Sequence, residues 1–315
     1  MTVPVREALS LWGLSDADCR FVAGRENTVY RISTVGGDFA LRLKRPGYRL
    51  EAELMSELQW LDAMDAAGLQ VPRPMPSLRG RFLEAQGDLH MDLVTWLAGQ
   101  PLGKSRSPLH LTDRAGTFRA IGREIARLHL ACDAWRRPEG FTRCDWNIDG
   151  LVGEAPLWGR FWENPTLDAP TQHLFLRFRQ AAHARLSQAT EALDHGLIHA
   201  DLVRENILID GKTVRMIDFD DGGFGYRQFD LATLMLKNQR EPDYPALKAA
   251  LIDGYLTLRP LDLSLLDLFV AIRALTYVGW IVPRMEEDGG ADRNSRFVAE
   301  ARALCAAYLD DMRVH

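Results

Sequence analysis

Three oxygen-bearing side chains and one imidazole lie close together in residues 196–232, in an order that carries chemical meaning. His199, Asp201 and Asn206 form the pattern H-x-D-x-x-x-x-N, a hairpin turning at Asp210-Gly211 follows, and the next strand runs into Ile217-Asp218-Phe219-Asp220. Phosphoryl transfer accounts for these residue types, because its loose transition state asks for positioned oxygens and neutralised charge rather than covalent help. Asp201, on a loop after a buried strand, is placed to receive or orient an acceptor hydroxyl. The amide oxygen of Asn206 and the carboxylate of Asp218 are hard donors suited to magnesium, and the hairpin between them is a way to bring both loops beside one ATP.

The chain around this segment is long enough to position it. Its 315 residues, 47% hydrophobic and 26% charged, exceed one ordinary core and predict two lobes, 1–96 and 97–315. A net charge of −5 gives no support to nonspecific nucleic-acid binding or to a polybasic membrane anchor, so the expected partner is small, or cationic, or both. Cys19, Cys132, Cys144 and Cys305 lie far apart, which excludes a zinc ribbon or redox pair and fits reduced cytoplasmic thiols. The start of the chain lacks a signal-like apolar run, and the most apolar region, 261–283, is broken by Asp262, Asp267 and Arg273, so no membrane association is expected.

Patterning then predicts an α+β chain. Pro4 opens a short helix that stops at Gly13, and residues 27–34 and 38–44 form a hairpin around Val35-Gly36-Gly37. In its second strand Phe39, Leu41 and Leu43 alternate with Ala40, Arg42 and Lys44, which separates an apolar face from a cationic one. Leu50, Leu54, Leu58, Leu61 and Met64 repeat at helical spacing up to Gly68 and pack on that ribbon. Pro72, Pro74 and Pro76 force an extended link, a second hairpin turns at Gly87-Asp88, and the small lobe closes near Trp96. Beyond it Thr112-Asp113 caps a helix in which His129 is read as packed, a long helix ends near Gly196, and the chain from Phe229 is mostly helical.

These motifs resemble the protein-kinase-like small-molecule phosphotransferases: aminoglycoside phosphotransferases, choline kinases, type II homoserine kinases and bacterial stress-response kinases. The resemblance extends over nearly the whole chain, through Val71-Pro72-Arg73-Pro74, the hinge-like segment 94–99 and Arg127-Leu128-His129. It implies a bilobal protein-kinase-like fold, with a small antiparallel-sheet lobe carrying one main helix, a larger, mostly helical lobe, and ATP between them. It also implies Asp201 as catalytic carboxylate, Asn206 and Asp218 on Mg2+, His199 as mainly structural, and Asp230 as the buried carboxylate that braces the catalytic loop. Phe39-Ala40-Leu41-Arg42 stands where kinases carry V-A-I-K, which makes Ala40 and Arg42 nucleotide-binding residues, with Trp96 and Leu97 at the hinge. Glu53 is favoured over Glu57 as the partner of Arg42, and Lys44 is the competing phosphate ligand. The phosphate-covering turn falls on Gly24-Arg25-Glu26-Asn27-Thr28, with Gly24 and Asn27 as its binding residues and no G-x-G-x-x-G.

Departures from the protein-kinase pattern narrow the expectation. Ala200 replaces a common arginine, no glycine follows Phe219, no A-P-E is found, and 12 positions from Asp218 to Asp230 leave little room for a peptide-docking loop. The chain is thus expected to be an ATP- and Mg2+-dependent kinase acting on a hydroxyl of a small metabolite, most like the homoserine and choline branches. A Ser/Thr protein kinase of the stress-response type and a non-catalytic nucleotide-binding scaffold are the alternatives. Asp220 and Asp221 read equally as ligands of a second metal or cationic acceptor and as a solvated turn, and the tryptophans between Trp135 and Trp162 read as core in preference to a stacking surface for a sugar or a cationic amine.

Overall fold

The alternation in residues 39–44 is the feature on which the first half of the molecule is built. A computed structural model describes residues 5–24 and 27–312 and divides the chain into two compact units. The first comprises Met1–Leu102, Ala134–Arg143 and Ile207–Asp220; the second comprises Gly103–Asp133, Cys144–Asn206 and Asp221–His315. The first unit therefore takes in the hairpin that follows Asn206.

Helix α1 (Val5–Ser10) opens the first unit, followed by strands β1 (Asp18–Gly24), β2 (Asn27–Thr34) and β3 (Gly37–Lys44), helix α2 (Glu51–Ala66) and strands β4 (Leu83–Gln86) and β5 (Leu89–Thr95). Pairing in the order β1-β2-β3-β5-β4 is antiparallel throughout, so the two expected hairpins join through β3 and β5 into one five-stranded sheet. The alternation sorts as chemistry requires: Leu41 and Leu43 bury against Ala8, Leu9 and Trp12, while Ala40 packs with Leu54 and Leu58 of α2. Arg42, on the α2 side, stands directly opposite Asp92 of β5. Strand β6 (Gln100–Pro101) belongs to a separate three-stranded sheet.

In the second unit come α3 (Arg114–Ala134), β7 (Asp145–Trp146), α4 (Ile148–Val152), α5 (Ala169–Ala189) and β8 (His195–Ile198). The first unit's hairpin, β9 (Ile207–Asp210) and β10 (Thr213–Met216), comes next in the chain, and its β9 pairs with β6. The chain then continues as β11 (Gly223–Tyr226), α6 (Arg227–Asn238), α7 (Tyr244–Leu256), α8 (Leu266–Trp280) and α9 (Gly290–Asp311). Asp113 caps α3 as expected, its Oδ1 accepting the Gly116 N–H at 2.8 Å. Helix α5 stops well before Gly196, because residues 195–198 are claimed by pairing with β11. Gly196 is required there, since a Cβ would lie 2.2 Å from Nη2 of the fully buried Arg227. Among the described residues no helix is long and apolar enough to cross a membrane.

Candidate active site

The loop that leaves β8 turns through Ala200 at φ +65°, a left-handed conformation that a non-glycine residue adopts only when its surroundings hold it. The residue that holds it is Asp230, in the first turn of α6 and fully buried. Its Oδ1 accepts the Ala200 N–H at 2.7 Å, and its Oδ2 accepts the His199 N–H at 2.9 Å. Nε2 of His129 lies 3.0 Å from the same Oδ2, and Nδ1 lies 2.8 Å from the Tyr255 hydroxyl. Burial, aided by the Arg227 charge, lowers the His129 pKa to about 4, so the ring is neutral at pH 7. A carboxylate only accepts, so Nε2 carries the hydrogen and Nδ1 takes the Tyr255 proton. Burial alone would raise the Asp230 pKa; the His129 contact and the His199 N–H outweigh it and hold the carboxyl below its usual range.

Asp201, next on this braced loop, has both carboxylate oxygens engaged. Oδ1 accepts from Arg273 Nη2 at 2.6 Å, and Oδ2 accepts from Asn206 Nδ2 at 3.0 Å. The same Nδ2 donates to the Asp201 carbonyl at 3.0 Å. Asn206 therefore commits its amide nitrogen to Asp201, which leaves its oxygen as the lone-pair group. The Asp201 N–H donates to Nδ1 of the buried His199 at 3.3 Å.

Arg273 is the residue that sequence reading missed. It appeared there only as a charge interrupting an apolar stretch, yet α8 is buried almost all round and encloses it completely. Its guanidinium lies 4.4 Å from the ring centroids of both Trp158 and Tyr277, and Nη2 donates to the Tyr277 hydroxyl at 2.8 Å. Of the tryptophans read as core, Trp146 is buried and stacked on Phe229, while Trp158 is one wall of the arginine's aromatic housing.

The first unit assembles a second constellation on the cationic face of β3. Arg42 donates through Nη1 to Glu57 at 2.7 Å and through Nε to Asp92 at 2.6 Å. Lys44 lies 3.3 Å from Glu57, 3.5 Å from Asp92 and 3.9 Å from Asp220. Burial disfavours charge on Glu57, but Arg42, Lys44 and Arg143 more than reverse that and hold its pKa far below the carboxylate range. The expectation that Glu53 pairs with Arg42 is corrected. Glu57 shares the buried stripe of α2 with Leu54, Leu58 and Leu61, whereas Glu53, one turn earlier, accepts the Leu50 N–H at 3.0 Å and caps the helix. Asp92 was also missed, although its cross-strand position opposite Arg42 is the signal that could have found it.

Asp218 is exposed at φ +66°, and the next residue, Phe219, is fully buried edge-on against Trp60 of α2. Arg143 donates to the Phe219 and Asp220 carbonyls, so this segment is anchored through both side chain and backbone. Asp220 is neither solvated nor free, being buried near Lys44 and Arg49. Asn27 pairs across strands with Lys44, and Ala40 and Trp96 border one apolar cluster; Leu97 is half-buried and Gly24 exposed. Arg25 and Glu26 of the expected phosphate-covering turn lie outside the described residues. Among the described residues no group of three or more His, Cys, Asp or Glu side chains is arranged to hold a metal by itself.

With this geometry in hand, residues 18–263 match the model of the phosphotransferase enzyme family, APH. The chain belongs to that family. A homoserine kinase of Methylobacillus glycogenes is 32% identical over 218 residues, 68% of this chain and 58% of that one. The amicoumacin kinase of Bacillus subtilis (strain 168) is 26% identical over 261 residues, 80% of this chain and 72% of its own. The solved structure of a microcompartment-associated aminopropanol kinase superposes with a TM-score of 0.83 at 27% identity, covering 98% of this chain and 97% of that one. This phosphotransferase is accordingly a small-molecule kinase of an ATP-dependent family, with the α+β fold those relatives share.

The Glu57 finding gives a first expected result. Glu57→Gln leaves two buried cations short of an anion and should cost about 3–5 kcal/mol of stability, with a clear loss of nucleotide affinity. Glu53→Gln, which touches only the cap, should stay within about 1 kcal/mol. Urea denaturation and ADP titration of both variants check the order, and a larger effect at Glu53 would contradict it.

Proposed function

We propose that this phosphotransferase moves the γ-phosphoryl group of Mg2+-ATP to a hydroxyl of a small metabolite, with Asp201 as the carboxylate that receives or orients the hydroxyl proton. The observation that carries this is the fixed posture of Asp201, held by Arg273 and Asn206 on a loop that Asp230 braces. Little covalent work is asked of the protein in such a transfer, so preorganised positioning is the main contribution it makes.

The donor types suit a magnesium ion. Magnesium keeps waters and takes one or two protein oxygens together with nucleotide phosphates, so no all-protein cage is needed. Asn206 offers an amide oxygen because its nitrogen is spent on Asp201, and the exposed Asp218 offers a carboxylate. When bound, the ion would neutralise charge on the β and γ phosphates. Arg42 is favoured over Lys44 as the phosphate ligand: among the described residues its buried Nη2 has no hydrogen-bond partner, whereas Lys44 is surrounded by three carboxylates.

Homoserine, amicoumacin and aminopropanol are the acceptors in the names of similar proteins, and all point toward hydroxylated, nitrogen-bearing small molecules. The test is acceptor-dependent ADP release across hydroxylated amines, amino acids and sugars, with phosphorylated products identified by mass. Release that requires one such acceptor is expected. Phosphate appearing on added protein or on the chain itself, with none on any small acceptor, would overturn the reading.

A further inference from the structure

Three helices of the second unit meet around a half-buried lysine that the phosphoryl-transfer scheme does not use. Lys237, in the last turn of α6, places its ammonium 3.5 Å from the centroid of the Tyr277 ring on α8 and 5.7 Å from that of Phe297 on α9. The two rings stack on each other at 5.1 Å. Among the described residues no carboxylate comes within ion-pair distance of it: Glu300, Asp201 and Glu205 attract it only from farther off, and Arg273 repels it. Two of those carboxylates are committed elsewhere: Asp201 is held by Arg273 and Asn206, and Glu205 accepts from the Ser105 N–H and hydroxyl. Glu300, which burial holds above its usual range, is drawn down by Lys237 first and by Arg240, 4.0 Å away, second. Burial first and Arg273 second bring the Lys237 pKa down to about 8, so its surroundings leave the charge short of compensation.

Tyr277 links this cation to the reacting end of the site. Its ring carries Lys237, its hydroxyl accepts from Arg273 at 2.8 Å, and the same Arg273 nitrogen donates to Asp201 at 2.6 Å. One ring and one guanidinium nitrogen thus separate Lys237 from the carboxylate assigned to the acceptor hydroxyl. Aromatic faces of this kind can take the cationic head of a ligand. Here the protein's own ammonium occupies the Tyr277 face, which disfavours a choline-like head and offers a positive charge that no carboxylate among the described residues meets at ion-pair distance.

We propose that Lys237 anchors an anionic group of the acceptor, so that the substrate is a small hydroxy acid or hydroxy amino acid in preference to an amino alcohol. This rests on the phosphotransferase reading above and chooses between the acceptor types that its relatives' names present. A carboxylate brought to the half-buried Lys237 would form a charge-assisted hydrogen bond there.

Matched probes that differ by one carboxylate decide it. With the full chain and Mg2+-ATP, steady-state ADP release is measured for L-homoserine against 3-amino-1-propanol and for L-serine against ethanolamine. The carboxylated member of the better pair is expected to have a kcat/KM at least about tenfold higher. Lys237→Met should raise its KM by about 30-fold or more, the scale of losing one partner of a desolvated charge pair, with a much smaller change in kcat. Lys237→Arg should recover much of that loss, which a merely structural defect would not allow. Preference for the amino alcohols in the wild type, or an unchanged KM for the carboxylated probe in Lys237→Met, would overturn the proposal. Turnover of none of the four would also defeat it, while ADP binding and the wider acceptor screen would judge the phosphotransferase reading separately.

Discussion

Asp201→Asn is expected to lower kcat by about 10³-fold or more while leaving ADP affinity little changed, because in the role proposed for it the group removed acts on the acceptor and not on the nucleotide. The substitution keeps the shape of the side chain and removes its charge, so the hydroxyl proton has no carboxylate to meet. Neighbouring contacts sharpen the expectation. Arg273 Nη2 and Asn206 Nδ2 both donate to Asp201, one to each oxygen. An amide at 201 can satisfy only one of them and turns a donor toward the other. Arg273, enclosed by aromatic rings, would also lose its anion, so some loss of stability is expected and has to be measured alongside activity. Steady-state ADP release with a turned-over acceptor, ADP titration and urea denaturation separate the three effects. A variant that is folded, binds ADP and turns over at the wild-type rate would remove Asp201 from its assigned role.

The features legible in the sequence were short-range. The H-x-D-x-x-x-x-N spacing, the hairpin at Asp210-Gly211 and the alternation of residues 39–44 are each local in the chain, and each appears where the pattern placed it. Partner choice was not local. Glu53 and Glu57 are one helical turn apart, and only the way α2 settles on the sheet decides which of them meets Arg42. Asp92 required knowing that β3 and β5 are neighbours, which neither hairpin reveals alone. Arg273 lies 72 positions from Asp201 on a helix whose apolar pattern signals burial and nothing more. Helix α5 ended early for a related reason: helical propensity near residue 195 competes with a strand partner, β11, that lies far along the chain.

The second large effect is expected at Asp230. Asp230→Ala would leave the His199 and Ala200 N–H groups and His129 Nε2–H without an acceptor in a fully buried site, at about 1–3 kcal/mol for each orphaned donor. Ala200 would also lose the contact that holds it at φ +65°, so the Asp201 loop should relax and kcat fall with stability. The same site predicts acid sensitivity. His129 titrates near 6.5 when unfolded and near 4 in the folded protein, so the unfolded chain takes up its proton first as pH falls. Stability is therefore lost from about pH 6.5 downward and the loss is complete below about pH 4, with about 2 kcal/mol gone between pH 7 and pH 5. Asp230, whose folded pKa is lowered from 3.8, adds stability that is lost only as pH falls through its folded value, in a more acidic window. His129→Gln keeps a side-chain donor but cannot titrate, so urea denaturation between pH 7 and pH 5 should flatten in that variant. A wild-type stability that is level over this range would show that the imidazole does not resist protonation in the folded state, and the neutral His129–Asp230 brace would have to be abandoned.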